Sequence, residues 1–107
     1  MTGSVGKTSV KDLTAAVISK GGSTHASERS FNNEIGVPLS ILGAPEDVDF
    51  LVLEMGARAE GDIARLAGIA RPDVGVVTTV AMAHTSAFGS LEVVARTKGE
   101  LLDGLPP

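Results

Sequence analysis

The run Thr2-Gly3-Ser4-Val5-Gly6-Lys7-Thr8-Ser9 sets two glycines and a lysine directly before an amphipathic stretch, and it restricts this chain more than any other feature. Glycines let a backbone wrap tightly, so that the N–H groups of the loop and of the following helix N-terminus converge on one point. Such a point suits an oligophosphate. The backbone forms the cradle, Lys7 reaches the terminal phosphates, and the Thr8 hydroxyl is placed to hold Mg²⁺. A nucleoside triphosphate is the implied ligand, with Gly3, Ser4, Val5, Gly6, Lys7, Thr8 and Ser9 around its phosphates. The general pattern has a glycine five residues before Gly6, where this chain has Met1, and the strand expected to feed the loop is not seen ahead of it. The plain alternative is a glycine turn that merely precedes a helix.

Composition narrows the partners. The 107 residues carry a net charge of -4 and are 43% apolar, enough for one core. No basic cluster is present, which argues against nucleic acid and anionic membranes as main partners. Three Phe and no Trp or Tyr leave little for base stacking, so the core is expected to be aliphatic. The chain has no cysteine, hence neither a disulfide framework nor a thiolate metal site. No signal peptide and no apolar span of about 20 residues is recognisable, so the cytoplasm is the expected compartment.

Periodicity predicts the elements. Val10, Leu13, Val17 and Ile18 give one buried face to a helix from Lys7 to about Lys20, ended by Gly21-Gly22. A short strand over Ser23 to Ala26, a polar loop and a helix near Val37 to Leu42, with Pro38 in its first turn, follow. Phe50 to Leu53 reads as a strand buried on both faces of a parallel sheet, with Glu54 at its C-terminal end. Gly61 to Ala70 reads as helix, Val74 to Val80 as a second buried strand, and Ser90 to Leu102 as a helix with Ser90 as N-cap and Leu91, Val94, Ala95, Lys98, Leu101 and Leu102 along one stripe. Helices alternating with parallel-type strands define an α/β fold, a layered and mostly parallel sheet with flanking helices. Ligands of such folds bind at the carboxyl ends of the strands.

That rule selects Glu54 and His84. A strand-end carboxylate suits a Mg²⁺–nucleotide site because the hard cation takes oxygen ligands, although solvated strand-end carboxylates are also ordinary. His84 is either a ligand for a second cation, a substrate-orienting imidazole or an ordinary loop histidine. Lys98 is unusual on an apolar stripe. Either its stem snorkels, or its partly desolvated amine has a lowered pKa and is open to chemical modification. The segment Ser30-Phe31-Asn32-Asn33-Glu34 offers amides either to a substrate or to a helix cap.

On these residues the chain resembles the Mur ligases of peptidoglycan synthesis. The matching pieces are TGSVGKTS at 2–9, FNNEIGVPL at 31–39, LEMGA at 53–57, RPDVGVVTTVAMAH at 71–84 and FGSLEVVARTKGEL at 88–101, together nearly the whole chain. The family's own phosphate loop is TGxxGKT, so Met1 is no serious departure. The Asn-Asn pair and Phe88-Gly89-Ser90 look most like the type that joins D-alanyl-D-alanine to UDP-N-acetylmuramoyl-tripeptide.

The resemblance implies that ATP phosphorylates the tripeptide carboxylate and that the D-alanyl-D-alanine amine attacks the acyl phosphate, leaving an amide. It implies phosphate contacts from Gly3, Ser4, Gly6 and Lys7, a first Mg²⁺ on Thr8 and Glu54, and a second Mg²⁺ that Glu54 bridges to and His84 helps ligate. Lys98 corresponds to a lysine that this family carbamylates, and Asn33 is implied to lie near the γ-phosphate or the substrate. Lys7, His84 and Lys98 are thus the catalytic candidates. The resemblance further implies part of a central ATP-binding domain, without the N-terminal substrate domain and the C-terminal closing domain. Little or no ligase activity is expected of the chain alone, and self-association through uncovered sheet edges is expected. Two rival readings are a phosphate-loop NTPase or kinase-like nucleotide-binding module, and a non-catalytic interaction fragment.

Overall fold

The computed structural model describes residues 1–82 and 89–107. In chain order they form α1 (Lys7–Ile18), β1 (Thr24–Ala26), α2 (Gly36–Gly43), β2 (Phe50–Val52), α3 (Asp62–Ala70) and α4 (Leu91–Asp103). β1 and β2 pair in parallel, with Thr24 opposite Phe50 and Ala26 opposite Val52. Past β2 the chain stays extended and gains another neighbour. The Met1 amine donates to the Leu53 carbonyl at 2.7 Å, and the Met55 N–H donates to the Met1 carbonyl at 2.8 Å. On its far side the N-terminal stretch meets residues 76–79: the Thr2 N–H donates to Val76 O, Thr78 N–H to Thr2 O and Ser4 N–H to Thr79 O, around a parallel bridge between Thr2 and Val77. The lateral order is therefore β1, β2 with its extension, residues 1–4, then 76–79.

This arrangement corrects three expectations. The stretch entering the phosphate loop is not wholly missing, because Met1 to Ser4 run extended with hydrogen bonds on both sides. The strand expected over Val74 to Val80 reduces to a single bridge, since its partner stretch is only a few residues long, and Val74 is 78% exposed. β2 is covered only toward its end: Phe50 and Leu51 are exposed, whereas Val52, Leu53, Glu54 and Met55 are buried.

α1 turns inward a face only partly overlapping the expected one, with Val10 and Ile18 half-buried. Leu13 and Val17 are exposed, and the buried residue of the helix is Lys11. The helix packs against β1 and β2, and its buried Lys11 shares one helical face with half-buried Lys7, Thr8, Ala15 and Ile18. Its polar members are there because the loop and the strand ends supply their hydrogen-bond partners.

Caps set the remaining ends. Asn33 Oδ1 accepts from the Ile35 and Gly36 N–H groups and starts α2, which stops before extended Ala44 and Pro45. Asp62 accepts from the Arg58 and Ala59 N–H groups at the start of α3, while Arg71, at φ 52, ends that helix before Pro72. The Ser90 hydroxyl accepts from the Val93 N–H and starts α4, as expected. The Glu100 carboxylate then accepts from the Gly61 and Ala64 N–H groups, locking α4 onto the N-terminus of α3. Val37, Leu53, Met55, Ile63, Leu66, Ala67 and Leu101 form the core between α2, α3, α4 and the extension of β2.

Of the stripe predicted on α4, Val94, Lys98 and Leu101 are buried, whereas Leu91, Ala95 and Leu102 are exposed, Leu102 to 54%. Leu101→Ala is therefore expected to lower unfolding stability by about 2–5 kcal/mol in urea titrations. The neighbouring Leu102→Ala is expected to stay within about 0.5 kcal/mol of the parent.

Candidate functional site

The phosphate loop is held open by close backbone packing. Gly3 has φ 151, and a Cβ there would stand 1.9 Å from Thr78 Oγ1, so no side chain fits. Gly6 takes φ 85 as the residue preceding α1, a left-handed conformation suited to glycine. The Ser4 hydroxyl donates to the Ala81 carbonyl at 3.0 Å and accepts from the Ala81 N–H at 2.9 Å. The Val5 carbonyl accepts from the Thr78 and Thr79 hydroxyls, and the Val5 N–H donates back to Thr79 Oγ1. The N-cap Gly6 has no side chain to cap the first turn of α1, whose leading N–H groups point out of the helix N-terminus beside Lys7. Lys7 folds back over the loop and donates to the Gly3 carbonyl at 2.8 Å. Ser9 is exposed on the first turn.

Glu54 is the centre of the cluster. It lies one residue past Leu53 at the carboxyl end of the β2 extension and is 1% exposed. Its Oε1 accepts from the Thr8 hydroxyl at 2.7 Å, and its Oε2 accepts from the Asn32 side-chain amide. Thr2, also buried, donates its hydroxyl to the Met55 carbonyl alongside. Thr8 and Glu54 thus come together as the resemblance implied.

Hard oxygen donors at this spacing fit Mg²⁺. Among the described residues no three His, Cys, Asp or Glu converge, so the protein would fill only part of the coordination sphere. That is the ordinary situation for Mg²⁺ beside a nucleotide, where waters and phosphates complete the shell.

Lys98 reaches the same region from α4. It is 4% exposed, and its amine is held below the ordinary lysine value of 10.5, mainly by burial and secondarily by the positive charge of Lys7. Asn33 stands apart: its side-chain oxygen is engaged in capping α2, and it is Asn32 that reaches Glu54. His84 lies outside the described residues.

Thr78 and Thr79 escaped the sequence reading, and within the polar segment 30–34 it singled out Asn33 where Asn32 is the residue that meets Glu54. The tandem threonines at the end of an apolar run were the available signal for the first two. Nothing local distinguishes Asn32 from Asn33, because only the turn of the loop decides which amide faces the carboxylate.

A parallel sheet, a glycine-rich loop opening a helix at its carboxyl edge and a buried carboxylate beside the helix hydroxyl define an α/β domain of the glycine-loop type. The Mur ligase middle domain matches residues 1–107, and the chain belongs to that family. It is 53% identical over 106 residues to the UDP-N-acetylmuramoyl-tripeptide--D-alanyl-D-alanine ligase of Mycobacterium tuberculosis, covering 99% of this chain and 21% of that protein. It is 45% identical to the Escherichia coli enzyme of the same name, covering 99% of this chain and 24% of that one. Among solved structures, MurF from Acinetobacter baumannii superposes with a TM-score of 0.94 at 30% identity, covering 99% of this chain and 23% of that one. MurF from Thermotoga maritima, in complex with ADP, superposes with a TM-score of 0.91 at 40% identity, covering 98% and 25%. The chain thus spans a fifth to a quarter of the length of these relatives.

The lowered amine of Lys98 carries a pH signature. The unfolded chain holds this proton up to about 10.5 and the folded chain releases it earlier, so the unfolded state binds more protons in the interval between the two values. Stability is then expected to rise as pH climbs from the folded-state value toward 10.5, and the rise is lost in Lys98→Met. Urea midpoints compared between pH 8 and pH 10 check this; a parent slope no steeper than that of Lys98→Met contradicts it.

Proposed function

We propose that this chain supplies the phosphate-binding and metal-binding wall of an ATP-dependent ligase that joins D-alanyl-D-alanine to UDP-N-acetylmuramoyl-tripeptide in the bacterial cytoplasm. The observation that carries the proposal is the pairing of the Thr8 hydroxyl with the buried Glu54 carboxylate, directly beside the glycine loop and Lys7. The names of the relatives and the ADP complex of one of them support the substrate assignment.

In this reading Gly3, Ser4, Val5, Gly6, Ser9 and the N-terminus of α1 bind the phosphates through backbone and hydroxyl donors. Lys7 leaves the Gly3 carbonyl to neutralise charge on the terminal phosphate. Thr8 and Glu54 would hold Mg²⁺, which when bound neutralises the β- and γ-phosphates. The tripeptide carboxylate takes the γ-phosphoryl group, the D-alanyl-D-alanine amine displaces it as phosphate, and an amide remains. Lys98, whose amine is depressed by burial, would add as a neutral nucleophile to carbon dioxide, form an N–C bond and release one N–H proton to solvent, and the resulting carbamate would offer an oxygen to a second Mg²⁺. His84 is proposed as a ligand of that second ion, and Asn33 as a neighbour of the γ-phosphate or substrate through its loop.

The rest of the polypeptide found in the longer relatives would provide the substrate-binding and closing domains. It would also cover apolar side chains now in water, among them Leu13, Val17, Leu39 and Leu42. Without that cover the chain is expected to self-associate through these faces and the sheet edge, and to ligate little or nothing. No helix among the described residues is long and apolar enough to cross a membrane.

Titration calorimetry with Mg²⁺–ATP tests the nucleotide site. Binding is expected to weaken roughly 10- to 100-fold in Lys7→Ala, the loss that follows from removing a charge-assisted hydrogen bond. Binding that Lys7→Ala leaves unchanged would remove the basis of the proposal. Ligation is tested by exchanging this chain for the corresponding segment of the E. coli relative. Phosphate release that requires both acceptor and D-alanyl-D-alanine is expected, whereas ATP hydrolysis indifferent to both would favour a simple NTPase.

A further inference from the structure

We propose that Lys11 is a positioning residue of the nucleotide site, its ammonium clamping the carbonyls of Ser27 and Arg29 so that the loop after β1 delivers the Asn32 amide to Glu54. Lys11 is 1% exposed, where a lysine head costs free energy unless it is fully hydrogen-bonded. Its Nζ donates to the Ser27 carbonyl at 2.7 Å and to the Arg29 carbonyl, with the Asp12 carboxylate 3.3 Å away. A methionine would fill the same volume, so what the ammonium adds is direction.

Both clamped residues lead to Glu54. Ser27 donates its N–H to the Val52 carbonyl, and its hydroxyl accepts from the Glu54 N–H at 3.2 Å, which fixes the backbone that carries the carboxylate. Arg29 has φ 48, a left-handed turn that a side chain rarely adopts, and the clamp holds its carbonyl in that turn. Three residues later the Asn32 carbonyl accepts from the Gly56 N–H at 2.7 Å, while its amide donates to Glu54. A Cβ on Gly56 would come within 2.9 Å of Asn32 Cγ, so the loop is seated closely on that side as well. Lys11 stands one turn beyond Lys7 and Thr8 on the same face of α1. A single ammonium therefore ties the phosphate-binding helix to the backbone of Glu54 and to the loop of Asn32.

The functional consequence rests on the nucleotide reading above, and the test separates the two. In ¹⁵N-labelled protein the Asn32 side-chain amide is followed by NMR, and Mg²⁺–ATP affinity is followed by calorimetry, for the parent, Lys11→Met and Lys11→Cys. The chain has no other cysteine, so the last variant, aminoethylated while unfolded and then refolded, regains an ammonium at position 11 alone. Lys11→Met is expected to keep its circular dichroism, shift the Asn32 amide signals and weaken Mg²⁺–ATP binding roughly tenfold. Aminoethylation is expected to restore both. Should Lys11→Met not fold, Lys11→Gln, which keeps a donor and most of the length, is read in the same way.

Unmoved Asn32 signals in folded Lys11→Met, or in Lys11→Gln where it stands in for it, overturn the proposal, as does a shift that aminoethylation of Lys11→Cys does not reverse. So does a failure of both variants to fold, which would make Lys11 a general stability residue. If the parent takes up no Mg²⁺–ATP yet the Asn32 signals move and are restored, the clamp stands and the nucleotide reading falls.

Discussion

A carboxylate buried to 1% exposure and satisfied at both oxygens is the constraint on which the rest of this structure depends. Burying an isolated charge is expensive, and a protein tolerates it only where donors are already arranged around it. Glu54 draws one donor from the first turn of α1 and another from the loop after β1. The strand end, the phosphate-loop helix and that loop therefore have to converge at one point. The same carboxylate that imposes this geometry supplies a hard oxygen beside the loop that would hold phosphates.

The polar inner face of α1 follows from that convergence. A helix whose inward positions were all aliphatic would deprive Glu54 Oε1 and the carbonyls of Ser27 and Arg29 of these donors in a buried place. Hydrogen-bonding demand thus outranks hydrophobic burial over these turns, and Leu13 and Val17 face water as a result. The ordinary core lies elsewhere, between α2, α3 and α4. There Glu100 fixes the angle of α4 by accepting two N–H groups from the start of α3, and so sets where Lys98 stands.

Much of this was legible in the residues. The glycine loop, the Ser90 cap and the acidic residue closing an apolar run are local signals whose physics needs few neighbours. The same holds for the parallel α/β class, which follows from the alternation of helical and apolar extended segments. Less legible were the elements whose environment depends on what lies across the sheet. Val74 to Val80 is rich in β-branched residues, yet it forms one bridge because its partner stretch is short. Phe50 and Leu51 look like core residues and are exposed, since the layers cover only the far end of β2.

The sequence by itself determined the phosphate loop, the helix ends and the strand-end carboxylate, because glycine conformation, capping and the position of a charge after an apolar run are properties of adjacent residues. Only the tertiary structure decided which of two neighbouring asparagines meets Glu54, that Thr78 and Thr79 brace the loop at Val5, and that a lysine occupies the buried face of α1. Those outcomes hinge on where segments tens of residues apart come to rest. Hydrogen bonds discriminate such placements over a few tenths of an ångström, a distance that no periodicity in the chain encodes.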